Sequence, residues 1–93
     1  MANKLDEARK IINEVDSQMA ELFVKRMQAA EMVLEYKKEF GLPILDAKRE
    51  AEVVERNISL IEDEVLKKYY ETFIKNLMSL SRAYQNDLQD KNN

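Results

Sequence analysis

Two basic residues, Arg26 and Lys37, occupy positions where a charged side chain is unexpected. Both fall inside the apolar stripe of a long amphipathic segment that is read at about 100° per residue. Their spacing of 11 residues is close to three helical turns, so the two side chains project in nearly the same direction, about 16 Å apart along the axis. A long basic side chain at the edge of a stripe commonly reaches out to water, but these two residues lie within it. The pair therefore indicates a place prepared for negative charge.

A carboxylate shows the same anomaly with the opposite sign. Glu50 falls in the apolar arc of the next helical segment, beside Val54, and the simplest interpretation makes it an ion-pair partner of Arg26 or Lys37. Such a pair contributes little net stability, because desolvation costs about as much as the attraction returns. The charged residues associated with these positions are four cations and two carboxylates, a net +2, namely Arg9, Arg26, Lys37, Arg49, Asp46 and Glu50. A small dianion would neutralise them.

The rest of the chain limits what this site can be. Its 93 residues suffice for one domain, expected to span 1–93 with an ordered core of about 5–88, and one Gly, one Pro and 45% hydrophobic residues predict an all-α fold. The formal charge of −3, without a run of five like charges, argues against nucleic acid or an anionic membrane as partner. No signal-peptide or membrane-span pattern is found, so we expect a cytoplasmic protein.

The chain has no Cys and no His. It therefore lacks a thiolate nucleophile, an imidazole base, a disulfide and the N or S ligands of zinc. We expect neither a metal nor a cofactor, and any catalysis must rely on charge, hydrogen bonding and shape.

The element that positions Arg26 and Lys37 is a helix predicted from Leu5 to about Glu39. Its 35 residues would be about 50 Å long, whereas a compact chain of this size has a radius of gyration of only about 12 Å. One chain cannot cover such a helix. A coiled coil and an intertwined dimer are the two alternatives, and the absence of a strict Leu/Ile heptad favours the intertwined dimer. In an antiparallel dimer, Arg9, at the margin of the stripe, would reach the partner's site.

Two further helices are predicted. Gly41 and Pro43 in "FGLPIL" end the first helix, and Asp46 is suited to cap a second helix that begins at Ala47. A third helix runs from about 64 to 88, with Ser59 or Asp63 as the cap near the boundary, and 89–93 is expected to be a frayed tail. The stripe of the third helix contains Leu66, Tyr70, Phe73, Leu77, Leu80 and Tyr84. Ser81 lies inside that arc and Gln85 at its edge, so both are candidates for the interior that holds the charges.

In combination, these residues resemble those of the all-helical chorismate mutases of the shikimate pathway. The resemblance covers about residues 5–88 and eight positions in register on three helices, namely Arg9, Arg26, Lys37, Asp46, Arg49, Glu50, Ser81 and Gln85. It implies an isomerase that is an intertwined homodimer with two equivalent sites, each completed by an arginine of the other chain. The family reaction is the Claisen rearrangement of chorismate to prephenate, on the route to phenylalanine and tyrosine.

The resemblance also implies a role for each residue. Arg26 and the partner's Arg9 would grip the substrate carboxylates, assisted by Ser81. Lys37 and Gln85 would hydrogen-bond the ether oxygen of the breaking C–O bond. Glu50 and the region of Asp46 would hold the ring hydroxyl, and Arg49 would orient the acidic group and add positive potential. The rearrangement is a concerted intramolecular step without nucleophile, metal or obligatory proton transfer, so the missing Cys and His are no handicap.

Two alternatives stay open at the level of sequence. A lyase of the same fold splits isochorismate into salicylate and pyruvate, but its relatives tend to be apolar where this chain has Glu50 and Ser81. A non-catalytic helical dimerisation module would use the buried charges only to specify pairing.

Overall fold

The structure, a computed structural model, describes residues 3–91 and contains three helices and no strand over that range. They are α1 (Lys4–Phe40), α2 (Ala47–Ile58) and α3 (Glu64–Lys91). Helix α3 packs against both α1 and α2. The predicted all-α class and the order of one very long helix followed by two shorter ones are confirmed. Within residues 3–91, no helical stretch combines the length and hydropathy that a membrane span requires.

Local capping explains where the helices begin and end. Gly41 ends α1 in the left-handed conformation, at φ 65°, which a residue without Cβ adopts freely. Asp46 caps α2, its Oδ1 accepting a hydrogen bond from the backbone N–H of Arg49 at 3.0 Å. Of the two candidates at the last boundary, Asp63 caps α3 by accepting from two backbone N–H groups, and Ser59 is the C-cap of α2.

The prediction of a frayed tail from residue 89 is wrong for 89–91. Helix α3 continues to Lys91, because no Gly or Pro interrupts it and Leu88 and Gln89 are partly buried. The basic side chain of Lys91 in the last turn also suits the negative end of the helix dipole. Residues 92–93 lie outside the described residues.

The buried core is small and lies between α3 and the C-terminal half of α1. It consists of Ala30, Leu34, Ile74, Met78 and Gln85. Only part of the predicted apolar stripe of α3 is buried, since Leu66, Phe73 and Leu80 are about half exposed. The residues of α3 that are buried in this chain, Ile74, Met78 and Gln85, lie on the arc next to that stripe. Because α3 is apolar around more than half of its circumference, its packing against α1 and α2 decides which side is buried.

The N-terminal half of α1 projects away from this core. Every residue from 3 to 25 is exposed, including eight large apolar side chains with 42% to 64% of their surface accessible, namely Leu5, Ile11, Ile12, Val15, Met19, Leu22, Phe23 and Val24. The chain extends over 58 Å with a radius of gyration of 16.9 Å, well above the value of about 12 Å expected for a compact chain of this length. Half of the longest helix thus has no covering in its own chain.

Candidate active site

A cavity of about 330 Å³ opens between α1, α2 and α3. This volume lies at the small end of the range for small-molecule sites, which is about 300–1,000 Å³. The cavity is lined by seven of the eight predicted residues, namely Arg26, Lys37, Asp46, Arg49, Glu50, Ser81 and Gln85. Apolar side chains, among them Val33, Val53 and Met78, form the walls between them.

Arg26 is held in the cavity by α3. Its Nη1 donates a hydrogen bond to Ser81 Oγ at 2.7 Å, and both side chains are partly buried. Ser81 Oγ lies 3.1 Å from the carbonyl oxygen of Leu77, to which it donates. The serine therefore links the guanidinium to the backbone of α3, which fixes its orientation and leaves its other N–H groups free for a ligand.

Lys37 is held by the segment that follows its own helix. Its Nζ donates to the carbonyl oxygen of Ile44 at 2.6 Å. This contact depends on the turn at Gly41 and Pro43, which brings the chain back beside the last turn of α1. An ammonium group has three donors, so the Ile44 bond orients Lys37 without using up its capacity.

Gln85 is the one polar side chain among the buried residues of the described chain, with 6% of its surface exposed. Its Nε2 donates to the carbonyl oxygen of Ala30 at 2.8 Å. A carbonyl inside a helix already accepts from the residue four positions later, so this second bond fixes the amide against α1. The second N–H of the amide stays available to the cavity that Gln85 lines.

The partner of Glu50 differs from the expected one. Its Oε1 accepts from Nη1 of Arg82 and not from Arg26 or Lys37, which are engaged with Ser81 and Ile44. Arg82 also lines the cavity and was not among the residues predicted from the sequence. The sequence does contain a signal for Arg82. It follows Met78 by four residues and precedes Gln85 by three, so it lies on the same face of α3 as these two residues.

Asp46 and Arg49 lie at the start of α2. The Asp46 carboxylate serves as the helix cap described above, and Arg49 Nη1 lies 3.9 Å from Glu52 Oε2 in a pair that is more than half exposed. An exposed pair of this kind contributes little to stability. Both residues line the cavity and are exposed to solvent, so they lie at its open side.

Arg9 is the one predicted residue that the structure does not bring to the cavity of its own chain. It is exposed on the projecting half of α1 and precedes Arg26 by 17 residues, about 25 Å along the axis. No rearrangement of side chains can close that distance.

The charges of the cavity favour an anion. Its lining contains four cations, Arg26, Lys37, Arg49 and Arg82, and two carboxylates, Asp46 and Glu50. The net charge of +2 equals the value predicted from the sequence, but the residues differ. The prediction counted Arg9, whereas the lining contains Arg82 instead. Over residues 3–91, no three acidic side chains form a group that could hold a metal ion.

One titrating group at the contact between α1 and α3 has a shifted pKa. Tyr84 donates a hydrogen bond to Glu31 Oε1, across the contact between α3 and α1. This bond, assisted by burial and by the negative charge of Glu31, raises the pKa of Tyr84 above its usual value.

Comparison with known proteins gives two matches. The sequence model of the family described as chorismate mutase type II matches residues 8–86, a range that begins one residue before Arg9 and ends one residue after Gln85. A protein named chorismate mutase, from Methanocaldococcus jannaschii, is 31% identical over 97 residues, an alignment that covers 99% of this chain and 98% of the relative. No solved structure gave a significant match.

Proposed function

The chain belongs to the type II chorismate mutase family, and from this premise we propose how its cavity carries out the family reaction. The activity is the rearrangement of chorismate to prephenate, a step of the shikimate pathway towards phenylalanine and tyrosine. In this step the ether C–O bond breaks while a C–C bond forms within the same molecule. The enzyme has to hold the dianion in its compact conformer and to stabilise the negative charge that develops on the ether oxygen.

The observation that carries the proposal is the convergence of seven predicted residues on one cavity of net charge +2. They come from three helices and from positions as far apart as 26 and 85. Because chorismate carries two carboxylates, its charge is complementary to that of the lining. Apolar walls beside the cations lower the local dielectric, which strengthens these interactions.

Carboxylate binding is assigned to Arg26, with Ser81 as its support. The guanidinium is already oriented by the Ser81 hydroxyl, so little conformational entropy is lost when it grips a carboxylate with two N–H groups. Arg49, at the open side, orients the acidic group and adds positive potential. Fixing both ends of a flexible substrate is how an enzyme lowers the barrier of a unimolecular rearrangement.

Stabilisation of the transition state is assigned to Lys37 and Gln85, whose N–H donors approach the cavity from α1 and α3. Both are held in place before substrate binds, by the carbonyl oxygens of Ile44 and Ala30. A preorganised donor aimed at developing negative charge contributes about 3–4 kcal/mol. The ring hydroxyl is assigned to Glu50 as acceptor, together with the region of Asp46.

The proposal includes a homodimer in which the partner's Arg9 completes each site. Support comes from the exposed apolar face of residues 3–25 and from the length of α1, which one chain does not cover. If two such helices pack antiparallel, the start of one lies over the distal half of the other, and Arg9 approaches the partner's cavity. The cytoplasmic location expected from the sequence is a further prediction, which cell fractionation would test.

The test is a spectrophotometric assay with purified protein. We expect chorismate to disappear with formation of prephenate and isochorismate to be left intact, since the polar side chains of Glu50 and Ser81 both face the cavity. Release of salicylate from isochorismate would instead indicate the lyase. If neither substrate reacts and prephenate does not raise the melting temperature, the dimerisation module becomes the better explanation.

A further inference from the structure

Arg82 is a cavity residue for which the eight-residue pattern provides no role. We propose that Arg82 is a positioning residue, whose ion pair with Glu50 holds that carboxylate at the wall of the cavity and offsets its charge so that a dianion can bind beside it. The inference rests on the proposed function and deepens it, since it assigns to this chain a further determinant of substrate binding.

The geometry of the pair supports this assignment. Arg82 Nη1 donates to Glu50 Oε1 between α3 and α2, and the two side chains are 31% and 25% exposed, so both are largely removed from water. Each also lines the cavity. In contrast, the other ion pairs of the described residues lie within one helix, at spacings of three or four residues, and include an exposed partner.

No other cation of the described cavity lining contacts Glu50 in the structure. Arg26 is bound to Ser81, Lys37 is bound to the Ile44 carbonyl, and Arg49 lies towards Glu52 on the open side. Arg82 is thus the cation that fixes the position of the Glu50 carboxylate. A carboxylate paired with an arginine has lone pairs left to accept further hydrogen bonds, so Glu50 is suited to accept a hydrogen bond from a ligand hydroxyl.

The negative charge of the substrate makes its binding sensitive to the charge of Glu50. A carboxylate without its partner in a half-buried cavity would repel a dianion, and removing one member of a partly buried pair leaves the other charge uncompensated. Because Arg82 acts through Glu50 and not on the reacting atoms, its loss should weaken binding of substrate and transition state alike. A uniform loss of this kind raises KM and changes kcat much less.

The experiment compares Arg82→Gln with Glu50→Gln, with the double variant Arg82→Gln/Glu50→Gln and with Arg82→Lys. Arg56→Gln is the control for an exposed arginine of α2. Steady-state kinetics with chorismate is combined with calorimetric binding of prephenate and with thermal melting. We expect Arg82→Gln to raise KM and the prephenate Kd about tenfold, with kcat within about threefold of wild type. Arg82→Lys should recover most of this loss, because it keeps the charge.

The double variant is the decisive sample. Glu50→Gln alone measures the loss of the carboxylate that is assigned to the ring hydroxyl. In the Glu50→Gln background, Arg82→Gln should weaken prephenate binding much less than it does in the wild type, because no charge is left there to repel the dianion. If Arg82→Gln weakens binding by the same factor in both backgrounds, Arg82 contacts the substrate itself and the positioning role is wrong. The role is equally wrong if Arg82→Gln behaves like Arg56→Gln, or if kcat and the melting temperature fall while KM stays constant.

The wild-type protein separates the two levels of inference. An active wild type with an indifferent Arg82→Gln variant overturns only the role of Arg82. A wild type that neither converts chorismate nor binds prephenate overturns the proposed function and this inference together.

Discussion

The two halves of α1 share one amphipathic pattern but have different surroundings. The C-terminal half packs on α3 and presents Arg26 and Lys37 to a cavity, whereas the N-terminal half leaves every side chain from 3 to 25 exposed. An amphipathic pattern therefore indicates that one face of a helix will be covered, but not which element or which chain will cover it. The cations distinguish the halves. Arg26 and Lys37 have hydrogen-bond partners in their own chain, whereas Arg9 lies about 25 Å from Arg26 along the helix axis and does not line the cavity.

If the C-terminal half of α1 carries the chemistry, Lys37→Met should have the largest effect. It keeps the length of the side chain and removes the donor to the ether oxygen, so we expect kcat to fall about 10²- to 10³-fold while the circular dichroism spectrum and the association state stay unchanged. Lys38→Met, at the exposed neighbouring position, is the control. Near-normal turnover of a folded Lys37→Met protein would contradict the assignment.

If the N-terminal half is a subunit interface, a charge on its apolar face should disrupt association. Val15→Glu removes an apolar contact and places a carboxylate in its position, so we expect the dimer Kd to rise by at least about 10²-fold. Sedimentation measures the change. Ser17→Glu adds the same charge on the opposite face of the helix and should leave association unaltered, and an equal effect of both variants would argue against the interface.

The two halves can also be tested as parts of one shared site. Arg9→Ala and Arg26→Ala chains should each be inactive, whereas a 1:1 mixture that is unfolded and refolded should recover about a quarter of wild-type activity. If the chains pair at random, half of the dimers contain one chain of each variant. Each such dimer has one intact site and one site that lacks both arginines. Two Arg26→Ala preparations mixed in the same way are the control, and a mixture without recovery would show that no site is shared.

The smallest expected effect concerns the contact between Tyr84 and Glu31, which joins α3 to the C-terminal half of α1. Because the pKa of Tyr84 is raised in the folded protein, its contribution to stability is present below the unfolded pKa of about 10 and is lost as the pH rises through the folded pKa. Tyr84→Phe should remove this alkaline loss.

Urea unfolding at about pH 9 and about pH 11 measures that difference, since the slope of stability with pH reports the protons bound in each state. Tyr69→Phe is the matched control, because Tyr69 lies on the same helix with 71% of its surface exposed. An unchanged slope in Tyr84→Phe would mean that other groups cause the alkaline loss.

Most of the secondary structure could be predicted because its signals are local. Gly41, Pro43 and the caps Asp46 and Asp63 act on neighbouring backbone groups, and the predicted bounds of α1 and the predicted start of α2 agree with the structure to within one residue. The C-terminal end was less predictable. Neither Gly nor Pro follows Leu88, and only the partial burial of the last turns shows that α3 continues to Lys91.

The candidate site was predictable to the extent that it depends on one helix at a time. The wheel of α1 places Arg26 and Lys37 together, and the wheel of α3 places Ser81 and Gln85 on one side; all four residues line the cavity. The wheel of α3 also places Arg82 near Met78 and Gln85, but its role depends on its pairing with Glu50 on another helix, and a helical wheel contains no distance between helices.

The sequence by itself determined the helices, their breaks and the presence of charge on apolar faces, since each of these follows from residues a few positions apart. Tertiary structure decided which face of α3 is buried, that Glu50 pairs with Arg82, and that the Ile44 carbonyl receives Lys37. The first two outcomes depend on how α3 packs against α1 and α2. The Ile44 contact depends instead on the turn at Gly41, which brings the chain back beside α1. The packing is a sum of many weak contacts between distant residues, so no local pattern encodes it.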